Sequence, residues 1–342
     1  MSPVKQFVFS AVASVDIGWL KRNSPLEVLI PYHHLVCDEY LPHIRPLYAY
    51  KNTRQFEQDL DFLLKHFNPV SLTELIDHQA KKIPLPQKSF LITFDDGLRQ
   101  AYQVAAPILQ RKGIPAAFFV NPAFVDNKTL FYDFKKGLIL DKLSGMTLKK
   151  NLREALKSLF PDAKEPFSPQ AAVRSIHYLN QSLADSVGEL LDIDFAAFSA
   201  KYRPFMTSDE IRDLISKGFQ IGSHSMDHPL YALIPPDEQL RQTLESTQWV
   251  NRHFQPGYKA FAFPHTDQGV SHGFFHQVEA GTKSGLDLLL GNRTAMLENH
   301  PGVLHRFIGE NPSVSAERMT KAVLMYSILR KAWGNSYVKR GQ

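Results

Sequence analysis

Seven short apolar runs, each bounded by turn residues, recur along the 342-residue chain at Val28–Tyr32, Phe90–Phe94, Ala116–Val120, Phe219–Gly222, Ala260–Phe263, Leu286–Leu290 and Val303–Ile308. Stretches of helical periodicity lie between them, so the runs read as strands of β/α units. Strands that are apolar without alternation must be covered on both faces. That condition is met by a parallel sheet carrying helices, either open and doubly wound or closed into a barrel. About seven strands favour the barrel, and the fold class is read as α/β, a distorted (β/α) barrel. Ser71-Leu72-Thr73-Glu74 and Thr207-Ser208-Asp209-Glu210 have the form of capping boxes, and Gly113 and Gly218 stand where left-handed helix stops are expected. Helix 54–67 carries Phe56, Leu60, Leu63, Leu64 and Phe67 on one face, and helix 236–254 carries Leu240, Leu244 and Val250, as outer helices packed on a sheet do.

One region interrupts the alternation. From about 127 to 204 there is no strand pattern, only helical ones such as TLKKNLREALKSLF, broken by Pro161 and Pro166. It reads as a helical insertion between two β/α units, either a packing elaboration or a wall on the substrate side of the barrel. The organisation expected is an N-terminal extension (1–26), a barrel with its insertion (27–312) and a C-terminal helix (313–342). That helix carries Met319, Val323 and Tyr326 along a stripe suited to packing on the barrel.

Composition removes several function classes. No stretch approaches the ~18 consecutive apolar residues of a membrane span. The net charge of +5 is spread without any block of like charges, which speaks against nucleic-acid binding. The N-terminal MSPVKQFVFSAVAS is faintly leader-like, but its apolar run is short and Asp16 follows, so a cytoplasmic location is expected, with the cell envelope or secretion as the alternative. A single cysteine, Cys37, leaves no intramolecular disulfide and no multi-cysteine zinc site, so a metal would have to be held by carboxylates and some of the 14 histidines.

Two strand ends carry such groups. Phe90–Phe94 runs into Asp95-Asp96-Gly97, and Phe219–Gly222 is followed by His224 and His228. Adjacent carboxylates at the mouth of a sheet repel one another at a cost of at least ~1 kcal/mol, unless a cation is near. Taken locally, Asp-Asp-Gly is also an ordinary turn leading into a helix cap. The i, i+4 spacing of His224 and His228 lets both imidazoles reach one point if the chain turns helically there. Since all strands of a parallel sheet end on one face, one carboxylate and both histidines can converge on a divalent ion with open positions. The other carboxylate can then accept a proton from an activated water.

With these residues in place the chain resembles the polysaccharide deacetylase, or NodB-homology, family (carbohydrate esterase family 4). TFDDG at 93–97 and HSMDH at 224–228 are similar to its first two motifs. IPYHHLV at 30–36, GIPAAFFVNP at 113–122 and FAFPHTDQG at 261–269 are similar to further family segments, so the resemblance covers about 27–310. It implies a metal-dependent hydrolase that removes acetyl groups from N-acetylated amino sugars of a glycan. In it Asp95 would be the general base, and Asp96, His224 and His228 would hold zinc or another divalent transition metal. Two departures stand out. Where the family's third motif has an arginine and a glycine around the proline, this chain has Ala262 and Thr266 around Pro264. Arg306 is the candidate replacement for the arginine that braces the base. Its neighbour His305 cannot face the same side of a regular strand, which leaves His265 as candidate acid. His33 and Pro264 are expected to line the substrate pocket. The competing readings are an O-acetyl esterase or other amidase on the same fold, and a barrel that binds glycan without turnover. The oligomeric state is left open.

Overall fold

A computed structural model of the protein describes residues 12–279, 281, 282 and 285–341. Residues 1–11 of the N-terminal extension, with most of the leader-like stretch, lie outside the described residues. Among the described residues, eight strands form one parallel sheet: β1 (Pro31–His33), β2 (Ile92–Phe94), β3 (Ala116–Val120), β4 (Gln220–Ser223), β5 (Ala260–Ala262), β6 (Leu288–Gly291), β7 (Val303–His305) and β8 (Phe307–Ile308). Their order is β7-β6-β5-β4-β3-β2-β1-β8. The two outermost strands are consecutive in the chain, with only Arg306 between them, so the ladder returns on itself and the sheet is a barrel.

The eighth strand is a division of the seventh apolar run. The segment Val303–Ile308 pairs first with β6 and then with β1. The Arg306 N–H donates to the Gly291 carbonyl (2.8 Å), and the next N–H, of Phe307, donates to the Ile30 carbonyl (3.1 Å). One stave serves two neighbours in turn, and the change of partner at Arg306 breaks it into β7 and β8. A small parallel sheet of Val28–Leu29, Ser89–Phe90 and Asn68–Pro69 extends β1 and β2 backwards. Its strand at Asn68–Pro69 is polar and short and carries no apolar run.

Alternation along the staves sorts their side chains. In β3, Ala116, Phe118 and Val120 face the helices, and Ala117 and Phe119 fill the barrel. In β2, Ile92 and Phe94 face outward, where Phe94 stacks on Phe118 at 5.0 Å between ring centroids. Leu91 and, by the same alternation, Thr93 and Asp95 therefore point inward. The helix Thr53–His66 starts at an Asn52/Gln55 capping box and buries Phe56, Leu60 and Leu63 in the outer layer, while Leu64 stays on its exposed edge. The C-terminal helix Ala316–Ala332 buries Val323 and Leu324 in the same layer, beside Leu20 of helix Ile17–Asn23. No helix among the described residues is long and apolar enough to cross a membrane.

The insertion leaves the C-terminal end of β3 and returns before β4. Its helices Tyr132–Ser144, Lys150–Ser158, Pro169–Arg174, Ser182–Leu190 and Phe195–Tyr202 share a separate apolar core that includes Phe134, Leu140, Leu156, Val173 and Val187. Gly137 seats it on the loop after β1, where a Cβ would stand 2.0 Å from the His43 carbonyl oxygen. A side chain at this position would force the insertion off the barrel rim.

Candidate active site

The strand ends on the rim carry the candidate groups. Asp95 follows β2 in the inward register and is 2% exposed. Continued alternation would turn Asp96 to the outer face. Instead Asp96 and Gly97 both take left-handed backbone (φ 68° and 65°), which keeps both carboxylates on the cavity side. Gly97 has a second constraint, since a Cβ there would lie 3.1 Å from Val120 Cγ1.

Arg306, 0% exposed, grips Asp95 with both arms: Nη1 donates to Oδ1 at 2.7 Å and Nη2 to Oδ2 at 2.8 Å. Nη1 also donates to Thr93 Oγ1 and Nε to Asn292 Oδ1, each at 3.3 Å, and the guanidinium lies 5.0 Å from the centre of the Tyr32 ring. Burial pushes the Asp95 carboxyl up, but Arg306, with help from His224 and His34, holds it below the usual carboxylate range. The change of strand partner at residue 306 thus delivers a buried cation to the base of the site. His305 points elsewhere, with Nε2 3.5 Å from Glu298 Oε2.

Asp96 faces two imidazoles. Its Oδ1 lies 3.1 Å from His228 Nε2 and 3.5 Å from His224 Nε2. His224 Nδ1 is 2.8 Å from the Ala262 carbonyl and donates to it, which leaves the Nε2 lone pair toward Asp96. Burial pushes this imidazole's pKa down to about 4, so its neutral form is the one held. The histidine segment is not helical. Ser225 and His228 both have left-handed backbone (φ 65° and 64°), and the His228 N–H donates to Ser225 Oγ at 3.0 Å. The two rings converge through these reversals rather than through a helical turn. Asn121, at the end of β3, fixes the bend by donating to the Ser225 carbonyl at 3.1 Å.

The three groups fit a metal ion. Ligand atoms of Asp96, His224 and His228 lie within 4.8 Å of one another, and Asp96 Oδ1 is buried with no hydrogen-bond donor aligned to it. An orphaned carboxylate oxygen facing two imidazole nitrogens is a donor set that a divalent cation satisfies.

His33 does not reach the cavity. It points outward with Leu29 and Phe94, its ring against Phe56 (5.3 Å) and Phe94 (5.6 Å). Alternation hands the cavity position to the next residue, His34, which sequence reading passed over. The His34 N–H donates to Glu310 Oε2 (2.8 Å), its Nδ1 lies 2.6 Å from Glu310 Oε1, and its Nε2 stands 4.0 Å from Asp96 Oδ2. Burial disfavours a proton on His34, but Glu310, with Asp96 and Asp95, outweighs it and raises the pKa to about 10.

Pro264 is buried beneath the rim, and His265, with φ 51°, stands at the mouth with its ring 4.4 Å from that of His228. The surrounding protein and His228 disfavour a proton on His265, an effect its exposed outer edge limits. Asn292, after β6, ties this loop to the base of the site. Its Nδ2 donates to the His265 carbonyl at 3.0 Å, its Oδ1 accepts from Arg306, and its N–H donates to Asp267 Oδ1 at 2.9 Å. Arg340 from the C-terminal segment, 2.9 Å from Asp267 Oδ2, completes this support.

A cavity of about 370 Å³ opens above these groups. His34, Asp96 and His228 line its floor, His265 stands at its mouth, Tyr48 forms one wall, and Phe131, Asp133, Lys136 and Arg174 of the insertion segment form the other. His34, Glu310, Asn121 and Asn292 were all missed in the sequence. Of these only His34 left a signal, the alternation of β1 carried one residue further.

The sequence profile of the polysaccharide deacetylase family matches residues 82–272, more than half of the chain. No curated protein matches the chain in sequence. Among solved structures, IcaB from Ammonifex degensii superposes with a TM-score of 0.52 at 18% identity, over 89% of this chain and 98% of that one. The deacetylase PplD of Streptococcus pyogenes, in complex with acetate, gives a TM-score of 0.54 at 14% identity, over 88% of this chain and 99% of that one. The de-N-acetylase of Aggregatibacter actinomycetemcomitans gives 0.53 at 15% identity, over 86% and 99%. At these identities the structures speak to the fold, and the profile speaks to the family. The chain belongs to the polysaccharide deacetylase family of glycan-deacetylating hydrolases.

Proposed function

We propose that the protein removes acetyl groups from N-acetylated amino sugars of a glycan, with a divalent metal as cofactor. The observation that carries this reading is the division of labour between two adjacent carboxylates. Asp96 faces His224 and His228, while Asp95 is gripped by Arg306. Asp96, His224 and His228 would hold zinc or another divalent transition metal, which when bound supplies Lewis acidity beside the scissile carbonyl. Asp95 takes the proton of the attacking water, and Arg306 keeps its carboxylate ionised and aimed. His34, held by Glu310 in its charged form and facing the cavity, gives a proton to the departing amine. It fits that task better than His265, whose surroundings disfavour a proton. Tyr48, Phe131 and Arg174 offer a sugar ring two apolar faces and a hydrogen-bond donor.

The test is acetate release by the zinc-loaded full chain from N-acetylated chito-oligosaccharides, run beside O-acetylated sugars, with Asp95→Asn as control. Release from the amide substrates that Asp95→Asn abolishes supports the proposal. Release from the esters alone makes the protein an O-acetyl esterase, and binding without release on either panel makes it a glycan-binding barrel.

A further inference from the structure

A second group of imidazoles lies away from the cavity, on the helix His272–Val278 and the loop before β7. His272 and His276 are one turn apart, so both project from one face, and their Nε2 atoms are 3.0 Å apart. On the far side of each ring stands another polar group. His272 Nδ1 is 2.6 Å from His300 Nε2, and His276 Nδ1 is 3.5 Å from Glu279 Oε2. His272 and His276 are exposed, and His300 is buried, stacked on Phe275 at 5.1 Å. None of these residues takes part in the proposed reaction.

We propose that His272 and His276 are the protein ligands of a second, surface site for a divalent transition metal, with His300 and Glu279 as the acceptors that orient them. Two nitrogens bound at 2.0–2.1 Å to one ion stand about 2.9 Å apart at a right angle and about 3.3 Å apart in a tetrahedron. The observed separation falls between these values, so little movement is needed. Ligating histidines characteristically donate their second N–H to a carboxylate, a carbonyl or another acceptor, which fixes the tautomer. Here both acceptors are in place: His272 Nδ1–H can donate to His300 Nε2, and His276 Nδ1–H can donate to the Glu279 carboxylate. The pair sits at the surface, so water can complete the coordination shell. Imidazole ligands select nickel, copper or zinc over magnesium or calcium. The consequence is mechanical. A helix of seven residues is far below the length that is stable alone, and an ion across i and i+4 would tie its turn. The same helix anchors the C-terminal segment, since the His272 N–H donates to the Gly341 carbonyl at 3.0 Å and Arg340 packs 3.9 Å over the Phe275 ring.

The arrangement has a metal-free counterpart, a chain of neutral imidazoles in which His276 donates to His272 and His272 donates to His300. Calorimetric titration with Ni²⁺ separates the two. The full chain carrying His224→Ala and His228→Ala, which removes both histidine ligands of the cavity's metal site, is the background. We expect one Ni²⁺ per chain at pH 7.5 and a rise in Tm on binding. Adding His276→Ala should weaken binding at least about 100-fold, and His300→Ala, which removes only an orienting acceptor, about tenfold or more. The proposal is overturned if the background variant binds no Ni²⁺, or if it binds with an affinity that His276→Ala leaves unchanged. His276 is exposed whereas His300 is buried against Phe275, so circular dichroism matching the background, checked for each variant, establishes that a lost signal is a lost ligand or orienting acceptor.

Discussion

The floor of the cavity and its mouth are built on different terms. The floor is assembled from strand ends, and nearly every polar atom of its Asp95–Arg306–Asn292 chain has a partner inside the barrel. The mouth is made of loops and the insertion, where Asp133 pairs with Lys136 at 2.6 Å and Arg174 donates to the Pro46 carbonyl. The floor suits chemistry, which requires charged groups held still, and the mouth suits recognition, which can vary without disturbing the barrel. A change in the floor should therefore cost both stability and turnover, and one in the mouth should change affinity alone.

Arg306→Ala should have the largest effect. It leaves the buried Asp95 charge unpaired, so urea denaturation should show a loss of about 3–5 kcal/mol and acetate release should disappear. Arg306→Lys keeps the charge without the two-armed grip and should recover stability better than turnover. Asp95→Asn should lower kcat by about 10²–10⁴ while zinc content stays at the wild-type level, because metal ligation is assigned to Asp96. If that variant retains turnover, the assignment of the base to the floor is wrong.

His34→Gln lies on the boundary between the two regions. It should lower kcat on amides by about 100-fold but much less on aryl acetates, whose leaving group needs no proton. Its pH signature follows from the raised pKa. A histidine that ordinarily titrates near 6.5 and is raised to about 10 in the folded protein contributes stability in full below 6.5, and loses it as pH rises toward 10. The metal-free wild type should thus lose its stability advantage over His34→Gln across that interval in urea titrations. Asn292→Ala, which removes the tie between Arg306 and the His265 loop, should cost about 1–2 kcal/mol and reduce kcat by roughly tenfold. Arg174→Ala should be the mildest change, raising KM several-fold with kcat and Tm preserved. A matching fall in kcat would place Arg174 with the floor.

The two regions also differ in how much of them could be read in advance. The seven apolar runs are the seven staves, because burial on both faces leaves its mark on each strand separately. TFDDG and HSMDH mark the groups at two strand ends. The insertion was visible as a loss of the strand rhythm, and the structure favours the second of its two readings, a wall on the substrate side of the barrel. The exchange of His33 for His34 is one step of alternation, for which a strand of three residues left only a weak cue. Asp96, Ser225 and His228 use left-handed backbone, which residues other than glycine rarely announce.

Local pattern was enough for the seven apolar staves, though not for the division of the last into two strands, and for the parallel arrangement and the chemical character of the Asp–Asp and His–His pairs, since each rests on residues within a few positions of one another. The joining of Asp95 to Arg306, 211 residues away, depended on closure of the barrel through a stave that changes partner at a single residue. Glu310 behind His34 and Asn292 behind Arg306 came with the same closure. Their roles are contacts across the barrel, set by which strands meet, and no stretch of sequence around either residue encodes them.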